Sequence, residues 1–405
     1  MVNEHLHLAV ALDGAGWHPA AWREPAARPD ELFAPGYWAD LARTAERGLL
    51  DFVAFEDTFG IQAGLLGTAP SERTDQVSGR LDALLVASFV APLTRRIGLV
   101  PTVTVTHTEP FHVATATATL DHTSRGRGGW QPRVSGRAAE AALVGRRTVP
   151  EISRDDFTDG RLPPALSELF AEAGDVIEVV RALWDSWEDD AEIRDVTTRR
   201  FIDRDRLHHV DFSGRFFSVR GPSITPRPPQ GQPVVAVLAH RAEPYELAAR
   251  GADLVFLTPD GPGSPDAPGV LDGVRRAVEA TGGRAEPLRV FGDLVVVLDT
   301  PGEPGRDRLQ RMDRAAGAPI ASDAAVFAGS AVELADLLAD WQELGFHGAR
   351  LRPAVLPDDL DRIVDDLVPH LQRRGVFRTA YPADGGLRGL LGLPTDVPNR
   401  YAASA

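Results

Sequence analysis

The stretch Tyr37-Trp38-Ala39-Asp40-Leu41-Ala42-Arg43-Thr44-Ala45-Glu46-Arg47-Gly48-Leu49-Leu50-Asp51-Phe52-Val53-Ala54-Phe55-Glu56 decides the fold. Residues 37–48 read as a helix ending on a glycine, which supplies a left-handed conformation after the last turn. Residues 52–56 follow at once as a short apolar strand. The same alternation runs through the chain. Apolar runs at 6–12, 52–56, 97–103, 128–134, 234–238, 253–257, 290–298 and 349–351 are separated by helical or loop segments. Several are apolar on both faces and rich in Val or Ile, as buried parallel strands are. Residues 81–93, 168–187 and 333–344 read as helices, the last again closing on a glycine, Gly345. Eight such units predict an α/β (β/α)8 TIM barrel, with an open doubly wound sheet as the competing architecture. Asp13-Gly14-Ala15-Gly16-Trp17 lacks the third glycine and the following helix of a dinucleotide-binding turn, which favours the barrel.

The 405 residues are read as one domain, 1–405, since α/β barrels run long. Residues 135–232 form an insertion, expected over the barrel mouth. It holds a helix, a hairpin (208–210 against 216–219, turning at Ser213-Gly214) and a proline-rich exit. A C-terminal extension follows the last strand, and residues 261–269, rich in Gly, Pro and Ser, read as a mobile loop.

Composition narrows the chemistry. There is no Cys, and all 43 basic residues are Arg. A Schiff-base lysine, a P-loop lysine, a thiolate nucleophile and an iron–sulfur cluster are therefore excluded. The work falls to His, Asp, Glu, Ser, Thr and Tyr, or to a bound cofactor. A net charge of −15 argues against nucleic-acid binding. With no signal peptide and no long uncharged apolar run, a soluble cytoplasmic protein with no membrane partner is expected. His5 and His7 share a strand face, but no third ligand stands at metal spacing, so no metal site is expected.

Five segments carry a family likeness. They are Asp121-His122-Thr123-Ser124-Arg125-Gly126-Arg127-Gly128-Gly129-Trp130, Leu183-Trp184-Asp185-Ser186-Trp187-Glu188, and Phe212-Ser213-Gly214-Arg215-Phe216-Phe217-Ser218-Val219-Arg220-Gly221-Pro222. Pro369-His370-Leu371-Gln372-Arg373-Arg374-Gly375-Val376-Phe377-Arg378 and residues 387–393 complete the set. Together with Phe55-Glu56-Asp57 they run in order through most of the chain. The chain resembles bacterial-luciferase-like flavin-dependent monooxygenases, in the branch of nitrilotriacetate, long-chain alkane and sulfone monooxygenases. The resemblance implies FMN at the C-terminal ends of the strands and a homodimer or homotetramer. It implies reduced FMN from a separate flavin reductase, and oxygenation of a small organic substrate by O2 through a flavin C4a-peroxide. A deazaflavin-dependent oxidoreductase of the same fold and a flavin-binding protein without turnover are the alternatives.

Residue by residue, the resemblance places Asp57 and Thr58 near the flavin ring, with Thr102 and Thr104 beside it. Gln131 stands where relatives carry Asn, and Ser135 matches a serine placed to reach the phosphate. Relatives grip the phosphate after the fifth strand with a serine. Here the segment is Ala239-His240-Arg241, so Arg241, with His240, is expected to bind phosphate by charge. Glu109 replaces a histidine that lies near the flavin, and His107 flanks it. His18 follows Trp17 in the loop that lines the substrate pocket of relatives. His18, Glu109 and His107 are the candidate catalytic residues.

Overall fold

The computed structural model describes residues 5–60, 73–152, 156, 162–259, 266–284, 286–383 and 385–402. Thirteen strands are present among them: β1 (His7–Leu12), β2 (Phe52–Phe55), β3 (Gly98–Thr104), β4 (Gly129–Arg133), β5 (Glu192–Asp195), β6 (Arg200–Ile202), β7 (Phe212–Ser213), β8 (Ser218–Val219), β9 (Val234–Ala239), β10 (Leu254–Leu257), β11 (Arg289–Leu298), β12 (Ala325–Gly329) and β13 (Gly348–Pro353). Eight of them, in the order β10-β9-β4-β3-β2-β1-β13-β11, pair in parallel, and β10 with β11 closes the ring. All eight strands expected from the sequence form this TIM barrel.

Period-two alternation sorts each strand into two cores. Leu8, Val10, Leu12, Val53, Phe55, Val235, Val237 and Val255 pack outward under the helices. Ala9, Ala11, Phe52, Ala54, Val100, Val234, Ala236, Leu254, Phe256 and Phe291 fill the barrel instead, together with Leu387, Leu391 and Leu393 from the C-terminal segment. That segment is the barrel's floor. A Cβ on Gly98 would lie 2.5 Å from Leu387 Cδ1, so only glycine admits the plug there.

Several local expectations change. The helix Pro35–Arg47 ends at Gly48, but with φ −75°; the left-handed residue is Leu49, at φ 60°. Gly48 is needed for space, since its Cβ would stand 2.6 Å from Val364 Cγ2. Gly345, at φ 111°, ends its helix as expected. The 135–232 stretch is mostly not a cover for the mouth. Its long helix, Pro164–Asp185, belongs to the outer ring, packed between the helices Pro110–Ser124 and Ala242–Gly251. A hairpin forms where one was expected, but its first arm is β7, not 208–210, so Ser213 lies in the strand rather than the turn; a second, β5 with β6, was not foreseen. β12 was also unforeseen; it pairs only with the outer half of β11. Residues 261–265 of the expected loop lie outside the described residues, while Asp266–Gly269 open the helix Asp266–Ala280. Among the described residues, no helix is long and apolar enough to cross a membrane. His7 is paired with Asp51 at 2.8 Å.

Candidate active site

The inward face of the barrel turns from apolar to charged toward the C-terminal ends of its strands. In β13, alternation sends Arg350 and Arg352 to the axis, both almost wholly buried. Arg350 donates to Asp293 of β11 through Nε (3.0 Å) and Nη2 (2.6 Å). Its Nη1 reaches Glu56 Oε1 at 2.9 Å and Gln131 Oε1 at 2.8 Å. The guanidinium lies 3.9 Å from the centre of the Phe256 ring. Arg352 joins Asp293 and Asp323, the latter at 2.6 Å, and stacks on Trp17 at 4.4 Å. One guanidinium thus ties together β2, β4, β10 and β11. Sequence reasoning missed this network. Its signal was Arg350-Leu351-Arg352, two like charges on one face of an apolar strand, with Asp293 breaking the apolar run of β11.

The expected flavin contacts divide into groups. Asp57 uses both oxygens on backbone: Thr58 N at 2.7 Å and Ala83 N at 3.0 Å, the latter at the start of a helix. Burial pushes its pKa up despite those bonds. Thr58 and Ser135 both donate at 2.7 Å to Glu140, which also receives Arg133 at 3.1 Å and Arg137 at 3.2 Å. Burial opposes ionisation of Glu140, but Arg133 and the two hydroxyls win, bringing its pKa down to about 2. Ser135 is therefore turned to an internal carboxylate. Gln131 is held by Arg350. Thr102 and Thr104 share the inward face of β3, as alternation required; Thr104 lies 3.4 Å from Arg133, and Thr102 Oγ1 is buried with no partner. Ala239 packs its side chain in the outer core, which leaves its backbone for any contact with a cofactor. His240 and Arg241 follow β9, with His240 exposed and Arg241 half-buried at the start of the helix Ala242–Gly251.

Of the three candidate catalytic residues, His107 and Glu109 line one cavity and His18 lies apart from them. His18 is not an exposed loop histidine. It is 1% exposed, accepts from Ala20 N at Nδ1 (3.0 Å) and meets Asp313 at Nε2 (3.1 Å). Burial lowers its pKa, against the pull of Asp313. Both nitrogens are committed to anchoring the loop, a positional role that its sequence neighbourhood did not reveal. Glu109 is exposed and paired with Arg146. His107 is buried, with neither ring nitrogen partnered, and its pKa is lowered by burial and by Arg147. It sits on a cavity of about 300 Å³ walled by Val176, Phe216 and Phe217 and rimmed by Arg146 and Arg147.

A buried polar atom without a partner calls for an explanation, and a bound group is one. Thr102 Oγ1, Arg352 Nε and Trp17 Nε1 are three such donors at or beside the mouth. They suit a planar group edged with acceptor atoms, as an isoalloxazine ring is, and Arg241 at a helix N-terminus suits a phosphate. The residues present fit FMN.

A family model described as luciferase-like monooxygenase matches residues 15–304. The chain is similar to the N-acetyl-S-(2-succino)cysteine monooxygenase of Bacillus subtilis, 29% identical over 99% of both chains. It is also 29% identical to nitrilotriacetate monooxygenase component A of Aminobacter aminovorans, over 96% of this chain and 97% of the other. A riboflavin lyase solved with modified FMN and riboflavin shares the fold at a TM-score of 0.79 and 23% identity, covering 96% of each chain. The eight-stranded barrel, the charged mouth and the match through most of the chain agree: the protein belongs to the luciferase-like monooxygenase family.

Proposed function

We propose that the protein is an FMN-dependent monooxygenase that takes reduced FMN from a separate flavin reductase and oxygenates a small organic substrate with O2. The carrying observation is the set of buried, unpartnered donors around the mouth, Thr102 Oγ1 and Arg352 Nε foremost. A riboflavin lyase of the same fold was solved with a modified FMN, which supports a flavin here. Thr102 and Thr104 line the ring's bed, with Asp57, Thr58 and Gln131 supporting its edge. Arg241 and His240, with Ser135 and the Ala239 backbone nearby, receive the phosphate. Bound reduced FMN supplies the electrons that activate dioxygen; the chain orients it and excludes water. His107, buried beside the 105–110 loop, stands at the substrate cavity with Glu109 at its rim, and His18 holds the opposite loop in place. The chain is read as a single domain that works as a homodimer or homotetramer.

The test is direct. Fluorescence titration should show FMN binding, and Arg241→Ala should weaken it about tenfold or more, the worth of one charge-assisted contact. Unchanged affinity removes Arg241 from the phosphate site. Photoreduced FMN mixed with the protein and air should give an absorbance distinct from oxidised FMN that persists for seconds. Binding without that signal favours a flavin carrier over an oxygenase.

A further inference from the structure

One carboxyl group at the mouth stands outside every role given above. Glu56 follows β2, and alternation from Phe52 and Ala54 turns it to the barrel axis. Its Oε1 accepts from Arg350 at 2.9 Å. Its Oε2 takes no hydrogen bond among the described residues, and the side chain keeps 14% exposure, so that oxygen opens on the mouth. Arg350 cannot follow a moving partner, because Asp293, Gln131 and the Phe256 face fix it. Three other mouth carboxylates are committed: Asp323 is clamped by Arg352, Asp57 by two backbone amides and Glu140 by four side chains; Asp13 faces Arg80 at 3.5 Å and makes no hydrogen bond with the Arg350 network among the described residues.

We propose that Glu56 is the proton-carrying catalytic residue of the mouth. Its Oε2 holds a proton beside the bound reactants and passes it to an oxygen anion derived from dioxygen. The O–H bond at Oε2 breaks as one forms on the acceptor, and Arg350 holds the carboxylate left behind. A proton from solvent at the mouth restores Oε2, so the count over a cycle is unchanged. The electrons come from reduced FMN, so this inference rests on the oxygenase reading of the same site.

The surroundings agree with a carboxyl whose protonated form is favoured over that of a free glutamate. Burial raises the Glu56 pKa, while Arg350 and Arg352 of β13 pull it down and Asp293 of β11 and Asp13 after β1 push it back up. Asp323, with Arg352 against it, is held far below the ordinary range. Two acids with pKa values driven apart in one site is the pattern of divided acid–base work.

The experiment follows reoxidation of photoreduced FMN on the protein by stopped flow between pH 5 and 9 (a range of roughly neutral pKa values). Wild type should show an inflection with pH. Glu56→Gln should bind FMN equally, reoxidise it roughly 100-fold more slowly at the optimum, and lose the inflection. Glu56→Asp should keep an inflection at a shifted pH. An inflection unchanged in Glu56→Gln overturns the inference and leaves the FMN reading intact; failure of wild type to bind FMN overturns both. Should Glu56→Gln not fold, infrared difference spectra of wild type between pH 5 and 8 serve instead. A protonated-carboxyl band that moves in Glu56→Asp supports the assignment; a band that stays in place there, or no such band in wild type, overturns it.

Discussion

The lower and upper halves of this barrel are built on the same strands and are buried alike, yet they are made of opposite materials. Below, Phe52, Val100, Leu254 and Phe291 close on Leu387, Leu391 and Leu393. Above, Arg350, Arg352, Asp293 and Glu56 occupy the equivalent inward positions, with Asp323 from the loop before β12 against Arg352. Apolar burial stabilises at about 25 cal/mol per Å². Buried ion pairs recover their desolvation cost poorly, and well-packed hydrophobic residues often replace them without loss. A barrel chosen for stability alone would carry the floor's composition to the top. The difference marks the mouth as the half retained for chemistry.

Breaking the mouth should cost most. Arg350→Ala leaves Asp293 and Glu56 without their shared partner and should remove about 3–5 kcal/mol, read by denaturant unfolding. Replacing Arg350 and Asp293 together by Met and Leu should cost clearly less than Arg350→Ala alone, which would confirm that the charges are not kept for stability. On the floor, Leu387→Ala opens a cavity and should cost about 2–5 kcal/mol, with FMN affinity unchanged in the folded fraction. A change in FMN affinity there would erase the separation between the halves. The third test concerns pH. Glu140 has its folded pKa depressed to about 2, so its stabilisation is present above the unfolded value and is lost as pH falls toward 2. Glu140→Gln should therefore cost up to about 3 kcal/mol at pH 7 and nothing near pH 2, measured by melting temperature at each pH. Glu56 behaves oppositely: a raised folded pKa makes its burial least costly at low pH, and Glu56→Gln should gain relative stability as pH rises.

The fold was legible because buried parallel strands announce themselves as short apolar runs, and all eight did so. β12 was not, because Ala325–Gly329 is short, partly exposed and flanks only the outer half of β11. The 135–232 stretch was read as cover because periodicity gave its helix but not the packing of that helix in the outer ring. The site was legible by position but not by partner. Thr102 and Thr104 face inward as alternation requires, but nothing local in the sequence tells that Ser135 and Thr58 turn to Glu140. His18 read as a catalytic candidate because its partner Asp313 lies far along the chain. The Arg350 network joins residues 57, 219 and 294 positions apart, a convergence that barrel closure creates.

The plug beneath Gly98 and Gly129 also orders events during synthesis. β1 finds its second neighbour only in β13, and the lower interior is sealed only when Leu387 and its companions arrive. A ribosome releases β1 to β4 long before either. Throughout that interval the nascent chain carries an open sheet with a bare apolar interior, the kind of species that aggregates or engages chaperones. This late segment is thus the one that ends the barrel's exposure, and a nonsense codon between residues 354 and 386 would leave every strand made and the floor unsealed.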